Sequence, residues 1–128
     1  MNLAVNIAPL AAGQVRAATS IRWAALGEAA VVVALLAGIE AEQPSKLIRN
    51  FPASLREYQP WQRDLATGGI DDLAAIMETG LAALLAVNAR GTNCRAAASA
   101  LWQEYIAARA ALLVLLPPAG ALGPLRSA

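Results

Sequence analysis

Arginine and aromatic side chains concentrate between residues 43 and 69, a stretch in which alanine is otherwise scarce. Four of the ten basic residues and three of the six aromatic residues fall there. Planar arginine donors beside rigid aromatic rings are typical of anion-binding surfaces and of the energetic centres of protein interfaces. The candidate interaction patch consists of Arg49, Arg56, Tyr58, Trp61 and Arg63. An alternative stays open, in which the aromatic rings cover the core and the arginines are simply solvated.

Much of the common catalytic chemistry is excluded by composition. The chain has no histidine and one cysteine, Cys94, so it contains no Ser-His or Cys-His nucleophile pair, no histidine zinc site and no thiolate cluster. The acidic residues include no Glu-x-x-Glu pair, and the Asp71-Asp72 doublet is explained as a helix N-cap. Thr67-Gly68-Gly69 lacks the Gly-Lys-Ser/Thr of a phosphate-binding loop. We therefore assign no catalytic residue, no metal site and no cofactor.

The charge and hydropathy patterns also limit the partners. A formal net charge of +1 gives no overall field that would attract nucleic acid, so no nucleic-acid partner is predicted. The uncharged stretches 29–39 and 110–125 are shorter than the roughly 20 apolar residues of a membrane span, and membrane insertion is not expected. Residues 23–39 come near this length if Glu28 is tolerated. The single cysteine and the lack of basic residues before Arg16 favour a cytoplasmic protein.

The elements that must position the patch are helical. Alanine occurs 32 times and leucine 19 times among 128 residues, and both are strong helix formers. We predict an all-α, single-domain helical bundle spanning 1–128, with irregular termini over 1–13 and 117–128. Its four principal helices are expected over 14–42, 44–65, 71–90 and 93–116. The second is kinked or broken at its prolines, and 67–69 form a loop.

The first helix is apolar on most sides. One stripe with alternating spacings of three and four contains Ile21, Ala25, Glu28, Val32, Leu35 and Ile39. A second line is almost entirely small and contains Trp23, Gly27, Ala30, Ala34 and Ala37. This pattern predicts a central helix with a smooth strip that lets another backbone approach closely.

Bundle packing is also indicated at the other end of the chain. The last predicted helix carries a core line of Ala98, Leu101, Tyr105, Ala108, Leu112 and Leu115. Gly91 is expected in the left-handed conformation that follows a helix end. Arg109 lies four residues after Tyr105, which allows its guanidinium to sit over the aromatic ring.

These observations predict a non-enzymatic helical-bundle interaction protein that acts through protein–protein contact, as an assembly factor, a chaperone or a small regulator. Its partner is another protein or a second copy in an oligomer. Two alternatives stay open. One is a small-molecule-binding bundle or an enzyme, in which arginines hold an anionic substrate and Glu28 or Glu78 is the base. The other is a membrane-associated small helical protein.

Overall fold

Helices account for most of the part of the chain that the structure describes. The computed structural model describes the backbone of residues 3–115 and the side chains from residue 18 onward. Helix α1 is Leu3–Ala37, α2 is Lys46–Arg49, α3 is Phe51–Ser54, α4 is Pro60–Ala89 and α5 is Arg95–Leu113, with a 3-10 turn at Leu55–Glu57. No strand occurs within 3–115, and the all-α prediction is confirmed.

The chain runs up, down, up and down. Helices α4 and α5 are antiparallel, because Gly69 lies against Leu112 and Gly80 against Leu101. Helix α1 is also antiparallel to α5, since Gly38 at its end meets Arg95 at the start of α5. Helices α1 and α4 are therefore parallel. Residues 38–59, the crossover segment, connect them by descending along α1 in short helical pieces, where a regular four-helix bundle has its second helix.

Helix α1 ends at Gly38, before the predicted end at residue 42. Gly38 has φ +72°, its N–H donates to the Leu35 carbonyl, and the Ile39 N–H donates to the Ala34 carbonyl. These two bonds form a Schellman cap, which needs the left-handed conformation that glycine adopts without strain. The start also differs from the prediction. The helix begins at Leu3, within the stretch 1–13 that is predicted to be irregular. The alanine-rich composition favours a helix there, although Pro9 removes one backbone donor and its ring crowds the preceding turn.

Helix α4 joins two elements that the sequence separates. The predicted loop at Thr67-Gly68-Gly69 is wrong, since the helix runs without a break from Pro60 to Ala89. Proline suits the first turn of a helix. The Gln59 N–H donates to Gln62 Oε1 at 3.1 Å, and this bond caps the N-terminus of α4. The predicted helix 44–65 is accordingly divided among α2, α3, the 3-10 turn and the first residues of α4.

The glycines of α4 serve packing. A Cβ at Gly69 would lie 2.7 Å from Leu112 Cδ2, and one at Gly80 would lie 2.7 Å from Leu101 Cδ2. Their missing side chains let α5 approach closely, which compensates for a helix propensity about 1 kcal/mol below that of alanine at each site. The predicted capping role of the Asp71-Asp72 doublet is also wrong, because both residues lie inside α4.

Helix α5 begins close to its predicted position. Gly91 has φ +80° and ends α4 as predicted, while Asn93 Oδ1 accepts a hydrogen bond from the Arg95 N–H at 2.9 Å. The helix then runs from Arg95 to Leu113. The predicted irregular terminus 117–128 lies outside the described residues.

The core lies where α1, α4 and α5 meet, under α3. The largest side chains that are almost completely buried there are Val33, Phe51, Ile70 and Met77. The predicted core line of α5 is buried at Ala98, Leu101, Tyr105 and Leu112. On α1 the buried side is the line of small residues, including Trp23, Ala30, Ala34 and Ala37. The 3-4 stripe through Ile21 and Leu35 faces solvent instead, because a helix that is apolar on all sides does not indicate which face will be buried.

Candidate functional site

A cleft of about 570 Å³ opens between α1 and the crossover segment. Its α1 wall includes Trp23, Ala24, Gly27, Glu28 and Val31. Its opposite wall consists mainly of Pro44, Ile48, Arg49, Asn50, Pro52 and Ala53, and Tyr105 of α5 contributes to the lining. Most of this surface is apolar, and we call it the α1–crossover cleft.

Trp23 holds the crossover wall in place. Its Nε1 donates a hydrogen bond to the Ile48 carbonyl oxygen at 2.8 Å, and its ring packs against Phe51 with 4.9 Å between centroids and 42° between planes. Phe51 has no exposed surface. Ser45 Oγ accepts from the Ile48 N–H at 3.3 Å and caps α2. The wall is therefore fixed to α1 at the level of Trp23, although its helices are too short to be stable alone.

Tyr105 connects the cleft to a small aromatic cluster on α5. Its ring lies 5.8 Å from that of Trp102, and the Arg109 guanidinium carbon lies 5.4 Å from its centroid. The predicted cation–π contact between Arg109 and Tyr105 is confirmed. Since Tyr105 is only 4% exposed, this contact fixes a ring that belongs to both the core and the cleft.

The two walls of the cleft carry opposite charges. Glu28 on α1 and Arg49 at the end of α2 line its two walls, and both residues are exposed. Among the side chains that the structure describes, the one salt bridge joins Arg22 to Asp71. Glu28 and Arg49 therefore have no ion-pair partner within that part of the chain. Both charges are available to a partner that enters the cleft.

The candidate interaction patch is only partly a single surface. Arg49 lines the cleft, and Arg56 lies beside the same wall because its Nε donates to the Ala53 carbonyl at 3.2 Å. Trp61, which is 62% exposed, and Arg63 lie instead on the first turns of α4. They point in different directions, since two residues along a helix correspond to a rotation of about 200°. The role of this patch stays a prediction.

Tyr58 lies between these groups and is half-buried against the core. Burial raises the pKa of its phenol above the ordinary value, and the nearby Glu57 carboxylate adds to the increase. Both effects disfavour the phenolate. Tyr58 therefore stays neutral at physiological pH and offers an apolar ring with a polar edge.

Sequence reasoning divided the α1 wall between two lines, with Trp23 and Gly27 in one and Glu28 in the other, and it missed Ala24 and Val31. Ala24, Glu28 and Val31 share a face because three and four residues separate them, and this spacing is readable in the sequence. The stripe proposed above instead ran through Ala25 and Val32, one residue further along. Nothing local in the sequence indicates that Trp23 would contact Ile48, since 25 residues separate them.

A second groove of about 470 Å³ lies between α1 and α4. It contains Arg22 and Glu78 beside apolar residues such as Ala25, Met77 and Leu85. The two carboxylates proposed as a base, Glu28 and Glu78, are therefore in different grooves. Within the described side chains, no group of three or more Cys, Asp or Glu residues is placed to hold a metal ion.

One helical stretch in the described part of the chain, Ala18–Ala37, is long and apolar enough to cross a membrane by composition. In the bundle 33% of this stretch is buried. Core helices of soluble proteins meet the same criterion, and α1 packs against α4 and α5 in the bundle.

Comparisons of the chain with protein-family models, with curated proteins and with solved structures found no significant match.

Proposed function

We propose that this chain is a non-enzymatic helical-bundle interaction protein that binds a polypeptide through the α1–crossover cleft. The observation that carries this proposal is the apolar surface around the cleft. Ile21, Val31 and Leu35 of α1 are 69%, 54% and 72% exposed, and Val31 lines the cleft directly. Large exposed apolar patches with a polar rim are typical of protein interaction sites.

The shape of the surface favours a polypeptide over a small molecule. Small-molecule sites bury most of their ligand in a concave pocket, whereas this apolar surface continues along the outside of α1 beyond the cleft. Glu28 is exposed, while catalytic bases are commonly found in shielded clefts with a polar partner. A helix or another extended apolar segment would cover this surface better. We further propose that the protein works in the cytoplasm, as an assembly factor, a chaperone or a small regulator.

Site-specific photo-crosslinking in the producing cell tests the proposal. A photoreactive amino acid replaces Val31 or Ala53 on the two walls, and Val114, which is 80% exposed at the end of α5, serves as the matched control. We expect discrete heavier adducts from the two cleft positions and none from position 114. Equal labelling at all three positions, or no adduct from either wall, would contradict the proposal.

Membrane association is the second candidate function, and the apolar stretch Ala18–Ala37 favours it. Vesicle flotation distinguishes it from protein binding. If the protein floats with neutral or anionic vesicles and the substitution Leu35→Gln abolishes this, the outer surface of α1 contacts lipid. If the protein stays in the aqueous fraction with both kinds of vesicle, this candidate is excluded.

A further inference from the structure

The exposed side of α1 has the spacing of a coiled-coil seam. Ile21, Ala24, Glu28, Val31 and Leu35 follow one another at intervals of three and four, and all five are exposed. We call them the α1 outer stripe. Apolar residues at the a and d positions of such a repeat normally pack against a second helix. In the described bundle, α4 and α5 pack on the other sides of α1, so the stripe is uncovered.

We propose that the α1 outer stripe, together with the α1–crossover cleft, is a two-fold interface between two copies of this chain with their α1 helices antiparallel. This inference rests on the proposed function and names the partner at the same surface. In antiparallel coiled coils a positions face d positions. One such register places Ile21 opposite Val31 of the second copy and Ala24 opposite Glu28 of the second copy, and symmetry repeats each pair.

Charge complementarity supports a second copy of this chain as the partner that binds the α1 outer stripe and the cleft. The hydrogen bond from Trp23 to the Ile48 carbonyl fixes the next residue, Arg49, near the level of Trp23 and Ala24 on α1. The register places Glu28 of the second copy opposite Ala24, at the same level. Each Arg49 can therefore reach the carboxylate of the other chain. The two charges that lack an ion-pair partner within the described chain become two intermolecular pairs related by the two-fold axis.

The contact also fits sterically. Ala24 and Gly27 line the cleft side of α1, and among the described residues no atom beyond the adjacent backbone of α1 lies within 4 Å of the position that a Cβ on Gly27 would occupy. A second helix can therefore approach closely at this level, while the larger Ile21 and Val31 fill the space on either side. The five residues of the α1 outer stripe and one wall of the cleft form an interface whose buried area is at the small end of the range for specific protein–protein interfaces. We expect a dimer with a dissociation constant on the order of micromolar.

Charge reversal tests the interface with the purified full chain. Sedimentation velocity over a series of concentrations gives the dissociation constants of the wild type, Glu28→Arg and Arg49→Glu. Each single reversal places like charges together twice, so we expect at least about tenfold weaker dimerisation. An equimolar mixture of the two variants should regain dimers, because the two reversed residues pair with each other and the two native residues pair likewise.

Matched controls separate this effect from changes in net charge or folding. Glu78→Arg and Arg90→Glu make the same charge changes at exposed sites outside the proposed interface and outside the candidate interaction patch, and they should dimerise like the wild type. Circular dichroism confirms that each variant is folded. If the wild type is monomeric up to about 1 mM, or if the mixture does not recover dimers, the second copy is not the occupant. Photo-crosslinking at Val31 and Ala53 could instead yield adducts with a different protein while the purified chain is monomeric. That result would overturn the dimer inference and leave the proposed function intact.

Discussion

At the scale of a single residue, the environment of Tyr58 in the crossover segment changes the pKa of its phenol. The ring packs against the core, and the adjacent Glu57 places a negative charge near the phenol. Burial and this charge act in the same direction, since each raises the pKa by disfavouring the phenolate. The sequence places Tyr58 beside Glu57 but gives no measure of its burial, so the direction of the pKa change could be derived only from the fold.

The raised pKa of Tyr58 predicts alkaline sensitivity of the fold. The folded state holds the phenol proton more tightly than the unfolded chain, whose pKa stays near the ordinary value of 10.0. The stability linked to this group is therefore fully present below pH 10 and is lost as the pH rises through the folded-state pKa. Absorbance at alkaline pH follows the titration, and Tyr58→Phe isolates Tyr58 from Tyr105. The unfolding free energy of the variant should fall less steeply above about pH 10. Equal slopes for the two proteins would contradict the assignment.

The contacts that could be predicted from the sequence are local ones. The pairing of Arg109 with Tyr105 and the left-handed Gly91 each depend on residues within one helical turn or one cap, and both are confirmed. The hydrogen bond of Trp23 joins residues 25 positions apart and depends on how the crossover segment folds back. The α1–crossover cleft depends on that contact. Sequence alone therefore identified residues of both walls, such as Arg49 and Glu28, but not that they line one cleft.

At the scale of the elements, the helix boundaries that were predicted incorrectly lie at glycine residues. Thr67-Gly68-Gly69 resembles a turn by composition, yet it lies within α4 because Gly69 receives Leu112 from α5. Tertiary packing outweighs local propensity at such positions. At Gly38 the opposite error occurred, since the apolar pattern was extended past a glycine that ends α1. At Gly69 the deciding atoms belong to α5, whereas at Gly38 they belong to the last turn of α1 itself.

A matched pair of valine substitutions tests whether the α4 glycines serve packing. A Cβ at Gly80 would collide with Leu101, whereas at Gly68 no neighbouring atom lies within 4 Å. Overfilling a packed contact costs about 1–3 kcal/mol, while valine in place of an exposed helical glycine gains a few tenths of a kcal/mol, roughly, in propensity. Urea unfolding should therefore show Gly80→Val to be less stable than Gly68→Val by about 1–3 kcal/mol. Equal stabilities would mean that α5 does not approach Gly80 as described.

At the scale of the whole molecule, one helix carries two apolar surfaces. The small-residue side of α1 is covered by α5, and the α1 outer stripe is exposed. Composition predicted the helical class and a central α1, but it could not decide which side faces inward, because both sides are apolar. The short helices of the crossover segment complete the bundle without covering the stripe. The described part of the chain therefore exposes several large apolar side chains that its core does not need, and three of them, Ile21, Val31 and Leu35, lie along one line on α1.

Two leucine substitutions on α1 test this arrangement of the whole molecule. Leu26 is 4% exposed in the core and Leu35 is 72% exposed on the stripe, so Leu26→Ala should cost about 2–5 kcal/mol of unfolding free energy. Leu35→Ala should change it by less than about 0.5 kcal/mol in the monomer. Urea unfolding in detergent-free buffer, at the lowest concentration that fluorescence allows, measures both. If α1 instead left the bundle to cross a membrane, both leucines would face similar surroundings and the two costs would converge. A large difference between the two variants would therefore place α1 inside a folded bundle, with its outer stripe free to bind.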